Sequence, residues 1–274
     1  MTAAPAADPR FSLNQWTTRH WPMPDLVAGC VARGVRGVGL WREPVAEYGL
    51  ARTAKLMGDE GLTVTSLCRG GFFQERDAIA ENRRAIEEAA ELGAPVLVLV
   101  SGGLPEGSRD IDGARARVAE AVAELAPYAG SLNVRLAIEP LHPMFASDRC
   151  VVSTLAQALD IAAPHPPEQV GVVVDTYHLW WDPAAYDGIA RAGAEGRLAV
   201  FQVADWVTPL PEGVLTGRGM LGDGCVELRR FREAVEAAGY DGPIEVEIFN
   251  EDLWAMPGED ALALTLDRFT EHVV

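Results

Sequence analysis

Residues 172–181 read VVVDTYHLWW, and the placement of Asp175 in that stretch decides how the chain is read. Val172, Val173 and Val174 make a short β-branched run of strand length. A carboxylate follows at once, then His178 three residues later, then Trp180 and Trp181. Charge directly after a valine run means one of two things. Either the chain is turning back into water, or a strand is delivering a ligand to a site.

The rest of the chain repeats the same organisation. Short apolar runs begin at Phe11 (FSLNQW), Val35 (VRGVGLW), Leu62 (LTVTSLC), Pro95 (PVLVLVSG), Val134 (VRLAIEP), Val170 (VGVVVDT), Leu198 (LAVFQVAD) and Pro243 (PIEVEIF). Ala- and Glu-rich amphipathic stretches alternate with them, at about 24–32, 45–59, 76–92, 112–129, 154–163, 183–194, 228–238 and 261–272. Gly34, Gly61, Gly93 and Gly239 stand just past four of these, where a helix needs a left-handed residue to stop. Near-continuous apolar strands between helices imply a parallel sheet covered on both faces. Eight such units predict a single (β/α)8 TIM barrel over residues 11–274, preceded by a disordered lead-in, 1–10. The competing open sheet would carry a glycine-rich phosphate loop after its first strand, and that position reads NQWTTRHWP.

Composition narrows the function. The net charge is −17, which gives no electrostatic footprint for a phosphate backbone and argues against nucleic-acid binding. No apolar run nears the roughly 20 residues that span a bilayer. The N-terminus lacks the basic start and apolar core of a secretory signal, so a cytoplasmic location is expected. The four cysteines, Cys30, Cys68, Cys150 and Cys225, are scattered and expected to be free thiols.

Barrel enzymes place their active sites at the C-terminal strand ends. There the sequence sets Glu139 on strand five, Asp175 on strand six, Gln202 on strand seven and Glu247 on strand eight. Carboxylates within apolar strands are costly unless paired or bound to a metal. Three carboxylates and an amide oxygen suit one hard divalent cation, Mn²⁺ or Mg²⁺ first, with Co²⁺ or Zn²⁺ compatible with an open site. Glu245, two residues before Glu247, points to the same side at another height, and one of the two is expected to be a structural ion-pair partner.

The runs LAIEPLHP, VVVDTYH, FQVAD, GDG and YDGPIEVEIF resemble the xylose-isomerase-like superfamily of sugar phosphate isomerases and epimerases. The resemblance spans almost the whole chain and is most specific from Leu136 to Phe249. It implies that Glu139, Asp175, Gln202 and Glu247 hold the metal, that His178 reaches a substrate hydroxyl or carbonyl, and that Arg218 binds or orients substrate. Glutamine on strand seven is similar to the hydroxypyruvate-isomerase-like branch. One position departs: where ketose 3-epimerases carry a second glutamate six residues after the strand-five ligand, this chain has Phe145.

The expected activity is metal-dependent isomerisation or epimerisation of a sugar or related polyol-ketone. A proton next to a metal-bound carbonyl is removed and returned through an enediolate. Glu139, Glu247 and His142 are the candidate catalytic groups, His142 because it sits in the mouth loop and titrates near neutrality. Trp16, Trp181 and Trp206 are taken as substrate-binding, among seven tryptophans at or just past strand ends. Arg69, Arg42 and the Gly70 and Gly71 amides could hold a phosphate. Two alternatives stay open: a lyase or dehydratase on the same site, and a non-catalytic barrel subunit. The partner is expected to be a small sugar-like molecule, without nucleic acid or membrane, with a homo-oligomer or partner subunit left open.

Overall fold

Side chains alternate along a strand, and the valine run splits accordingly. Val172 and Val174 pack outward into the core shared with the helices, while Val173 joins Val98, Ala137 and Val200 inside the barrel. Asp175, two residues beyond Val173, therefore also faces the axis. It is fully buried. VVVDTYHLWW is thus a strand that carries a carboxylate into the barrel and does not turn back into water.

The computed structural model describes residues 7–274. The strands are β1 (Phe11–Asn14), β2 (Gly37–Trp41), β3 (Thr63–Gly71), β4 (Val96–Val100), β5 (Arg135–Glu139), β6 (Val170–Asp175), β7 (Leu198–Val203) and β8 (Ile244–Val246). They close into one barrel in sequence order, with β1 between β2 and β8, and every pairing is parallel. Helices cover the outside, the longest being Ile111–Ser131 and the two of Ala78–Leu92 and Gly258–His272. The expected helix at 45–59 is two, Arg42–Tyr48 and Leu50–Asp59, broken at Gly49 with φ +103°. Among the described residues, no helix is long and apolar enough to cross a membrane.

Of the lead-in, residues 1–6 lie outside the described residues. Arg10 is held: its guanidinium donates to the Gly242 carbonyl at 3.0 Å and pairs with Glu236 at 2.5 Å. Two features at the barrel mouth have no counterpart in the periodicity. Asp205–Trp206 and Arg218–Gly219 form a small antiparallel ribbon. The Asp205 carboxylate accepts backbone N–H groups from Trp206, Gly222, Gly224 and Val226, stapling the GDG turn beneath the mouth.

Candidate active site

The C-terminal strand ends bring Glu139, Asp175, His178, Arg218 and Glu247 together, each at most 4 % exposed. Asp175 ends β6, and its Oδ1 accepts the Tyr177 N–H at 2.8 Å, capping the short turn Thr176–Leu179. That turn carries His178 back over the carboxylates. His178 Nε2 lies 3.9 Å from Glu139 Oε1 and 3.8 Å from Asp175 Oδ2. One ligand atom from each of these three residues falls within 4.8 Å of the others, a possible metal site.

Arg218 enters this group from the ribbon. Its Nη1 donates to Asp175 Oδ2 at 3.1 Å and to Glu247 Oε2 at 3.0 Å, and its guanidinium lies over the rings of Tyr177 and Phe249. Burial alone would lower the pKa of Arg218, but Asp175, Glu247 and Glu139 outweigh it and raise it. The carboxylates move the other way. Burial pushes Glu247 up to about 8, while Arg218 opposes the rise. Burial, with Glu247 and Asp175 close by, raises Glu139 well above the carboxylate range. Burial also raises Asp175 against the pull of Arg218. Three carboxylates face one guanidinium, so the ionised group is two positive charges short.

Gln202 pairs in register with Asp175 on one side and with Glu245 on the other. Its Nε2 donates to Glu245 Oε1 at 3.0 Å, and its Oε1 is buried without a hydrogen-bond partner. An orphaned buried acceptor is costly unless something binds it. A divalent cation held here would answer both observations. Of the donors expected from the sequence, Glu139 and Asp175 fall in a close grouping with His178, Glu247 pairs with Arg218, and Gln202 Oε1 has no partner.

Of the two glutamates, it is Glu247 that forms an ion pair, with Arg218, while Glu245 is held by hydrogen bonds. Its carboxylate accepts from Asn14 Nδ2 (2.7 Å), Gln202 Nε2 (3.0 Å), Ser66 Oγ (2.7 Å) and Thr65 Oγ1 (3.2 Å). Four neutral donors solvate this buried charge, a hydrogen-bonded alternative to a counter-ion. Asn14 is itself held by Trp41, whose Nε1 donates to Asn14 Oδ1 at 3.0 Å.

The His142 backbone N–H donates to His178 Nδ1 at 3.2 Å, and Arg218 Nη2 lies 3.3 Å from its Nε2, so a donor faces each nitrogen of the His178 ring. Burial, then Arg218, then His142 hold its pKa well below the usual imidazole value. His142 itself stands one step back. Its Nδ1 accepts the Met144 N–H, and its ring stacks on Trp206 with centroids 4.8 Å apart. Phe145, at the departing position, is buried edge-on against His178.

The cleft over the carboxylates is lined by Trp41, Arg69, Glu139, Arg149, Arg218 and Glu247, among others. Trp16, Trp181 and Trp206 are not in that lining. Trp16 packs edgewise on Trp41, Trp181 donates to the His178 carbonyl, and Trp206 backs His142. They support the wall from behind it. Arg42 is committed elsewhere, to Glu81 and Glu88 on a covering helix. The Gly71 amide is likewise taken, by Asn82 Oδ1 at 2.6 Å. Arg149 was missed in the sequence; its only signal was its place in the loop after β5. The cleft holds about 40 Å³, less than a sugar-sized ligand fills, and Leu215 of the Val214–Thr216 turn is part of its lining.

A closed parallel barrel with buried carboxylates at the C-terminal strand ends defines a class, the barrel enzymes with polar sites at the mouth. The comparisons place the chain within it. The family model for xylose isomerase-like TIM barrels matches residues 27–272, and the chain belongs to that family. The solved structure of protein SMc04130 from Sinorhizobium meliloti 1021 is 44% identical, with a TM-score of 0.93 over 96% of this chain and 98% of that one. Inosose isomerase from Bacillus velezensis is 24% identical over 85% of this chain and 83% of its own length. A 3-dehydroshikimate dehydratase from Pseudomonas aeruginosa is 29% identical over 86% of this chain, which spans 37% of that protein.

Proposed function

We propose that the protein is a divalent-metal-dependent isomerase or epimerase of a sugar or related polyol-ketone. The observation that supports this most is the charge-deficient cluster of Glu139, Asp175 and Glu247 around Arg218, with the orphaned Gln202 Oε1 beside it. Glu139, Asp175, Gln202 and Glu247 hold the ion, Mn²⁺ or Mg²⁺ in preference to Co²⁺ or Zn²⁺ because every donor is a hard oxygen. Such an ion supplies Lewis-acid polarisation of a substrate carbonyl.

The chain's own groups do the rest. His178 Nε2, which faces Glu139 and Asp175, is placed to contact the substrate oxygen that gains charge. Glu139 and Glu247 come from strands on either side of the mouth, and burial gives both a raised proton affinity. One accepts the substrate C–H proton and the other returns one to the neighbouring carbon, or to the opposite face of the same carbon. Arg218 holds Asp175 and Glu247 in place. His142 holds the His178 ring through its backbone N–H, and its side chain backs the mouth. The reaction takes place on a small molecule, in the cytoplasm, without nucleic acid or membrane.

Phe145 keeps a second reading in play. It puts an apolar ring where a second glutamate would complete a proton shuttle, which favours elimination over balanced proton return. The likeness to a dehydratase agrees with this.

The test is metal content and solvent exchange together. About one divalent ion per chain, lost in Glu139→Gln and Asp175→Asn, with solvent deuterium entering a ketose, supports the proposal. An ultraviolet-absorbing unsaturated product selects the lyase. No metal, no thermal shift with added metal and no exchange would leave a barrel without this chemistry.

A further inference from the structure

Arg69 and Arg149 stand out within the cleft. Arg69 projects from the end of β3, Arg149 from the loop after β5, and both line the cavity that also holds Glu139 and Glu247. Both are half-buried. Among the described residues, neither hydrogen-bonds to a carboxylate. Arg69 lies over the Phe72 ring at 4.0 Å, and Arg149 comes only within 4.0 Å of Asp148. Arg42, Arg191 and Arg218, by contrast, each hold two carboxylates.

Two guanidiniums on one cavity wall repel each other, and each sheds part of its hydration. Burial lowers the pKa of Arg149 against the pull of Asp148, and the neighbouring Arg69 adds to the lowering. In a chain of net charge −17, two carboxylates, Glu139 and Glu247, share this cleft, yet neither hydrogen-bonds to Arg69 or Arg149. Planar forks of N–H donors match an oxyanion bidentately, and a ligand oxyanion would supply what the protein withholds. The cleft thus has two ends of opposite demand: a carboxylate cluster short of positive charge and a guanidinium pair short of negative charge.

We infer that Arg69 and Arg149 form an oxyanion subsite, so that the substrate is a polyol-ketone bearing a carboxylate or phosphate. The ketone end lies over Glu139 and Glu247, and the anionic end between the two arginines. This inference rests on the proposed reaction for where the ketone lies, and on the arginine pair alone for the anion.

The test uses the full-length protein loaded with Mn²⁺ and two matched pairs of probes. These are 3-dehydroshikimate against its methyl ester, and fructose 6-phosphate against fructose. Binding is read by calorimetry in the wild type, Arg69→Gln, Arg149→Gln, the double variant and Arg69→Lys. At least one anionic probe is expected to bind about tenfold or more tighter than its neutral partner, since charge-assisted pairs are the strong ones. Each glutamine variant is expected to lose most of that preference and the double variant all of it, with Arg69→Lys restoring part. Which pair shows the preference identifies carboxylate or phosphate. Neutral probes binding as well as anionic ones, or no anionic probe binding, overturns the subsite. Solvent deuterium exchange, measured alongside, separates the two readings. Discrimination without exchange removes the isomerase and keeps the subsite; exchange on neutral ketoses alone does the reverse.

Discussion

Gln202 Nε2 donates to Glu245 Oε1 over 3.0 Å, and that bond decides which end of the amide faces the mouth. A carboxylate can only accept, so the NH₂ group turns down to Glu245 and the oxygen turns up, where it is buried without a partner. Glu245 is in turn fixed by Asn14, Ser66 and Thr65, from β1 and β3. The direction of the Gln202 oxygen is therefore set by residues on β1, β3 and β8.

Glu245→Gln tests this. An amide at 245 offers a donor as well as an acceptor, so the Gln202 amide is free to flip. Metal affinity should fall by about 10–100-fold, the usual cost of removing a partner that orients a ligand. The measurement is the Mn²⁺ concentration at the midpoint of the thermal shift. A lower melting temperature with an unchanged midpoint would mean that Glu245 serves only to hold the barrel together.

Among the described residues, Arg218 supplies the only guanidinium that touches Asp175 and Glu247. Arg218→Met keeps the bulk between Tyr177 and Phe249 but leaves the buried carboxylates without a counter-charge. Breaking such a pair costs about 3–5 kcal/mol, or roughly 6–20 °C in a chain of this size. A divalent cation restores the missing charge, so the loss should be large in chelator and much smaller with Mn²⁺. Equal losses under both conditions would refute the charge argument.

How much of this was legible in the sequence follows from contact range. Asp175 and Glu139 could be read because strand period and strand end are local, and a carboxylate after a valine run needs no partner to be noticed. The partners of Glu245 could not be read, because Asn14 is 231 residues away and only barrel closure brings β1 beside β8. Arg42 and Arg69 looked alike in sequence, each following a strand. Only the helix carrying Glu81 and Glu88 distinguishes them, by claiming Arg42. The tryptophans were read from the sequence as a group at strand ends. Which of them reach the cleft depends on loop paths, and there Trp41 takes the place expected of Trp16.

His142 gives the pH dependence a sign. Burial lowers its pKa from 6.5 in the folded state, so the unfolded chain binds the proton more readily. Above the unfolded value neither state is protonated and the group makes no difference. As pH falls through 6.5 toward the folded value, the unfolded state gains protons first and stability is lost. His142→Gln should therefore flatten the acid limb of a urea-melt pH series between about pH 7 and 5, with no change at pH 8. A steeper acid limb in the variant would contradict a buried, neutral His142.

Gly39 carries the last test, because it lies beneath the same carboxylate. A Cβ at Gly39 would sit 2.5 Å from the Glu245 carboxyl carbon and about as close to both oxygens. Glu245 cannot yield without giving up Asn14, Ser66 or Gln202. Gly39→Ala should therefore cost about 1–3 kcal/mol, as overpacking does, and should also weaken Mn²⁺ binding, since the strain passes through Glu245 to the Gln202 oxygen. Gly58 is the control. It lies within the helix Leu50–Asp59, and a Cβ there meets nothing within 4 Å. Gly58→Ala should stabilise by about 0.5–1 kcal/mol through helix propensity and leave metal affinity untouched. Urea denaturation with metal titration on both variants decides the matter. Loss of stability in Gly39→Ala with full metal affinity would show that the Glu245 network and the Gln202 oxygen are not mechanically linked.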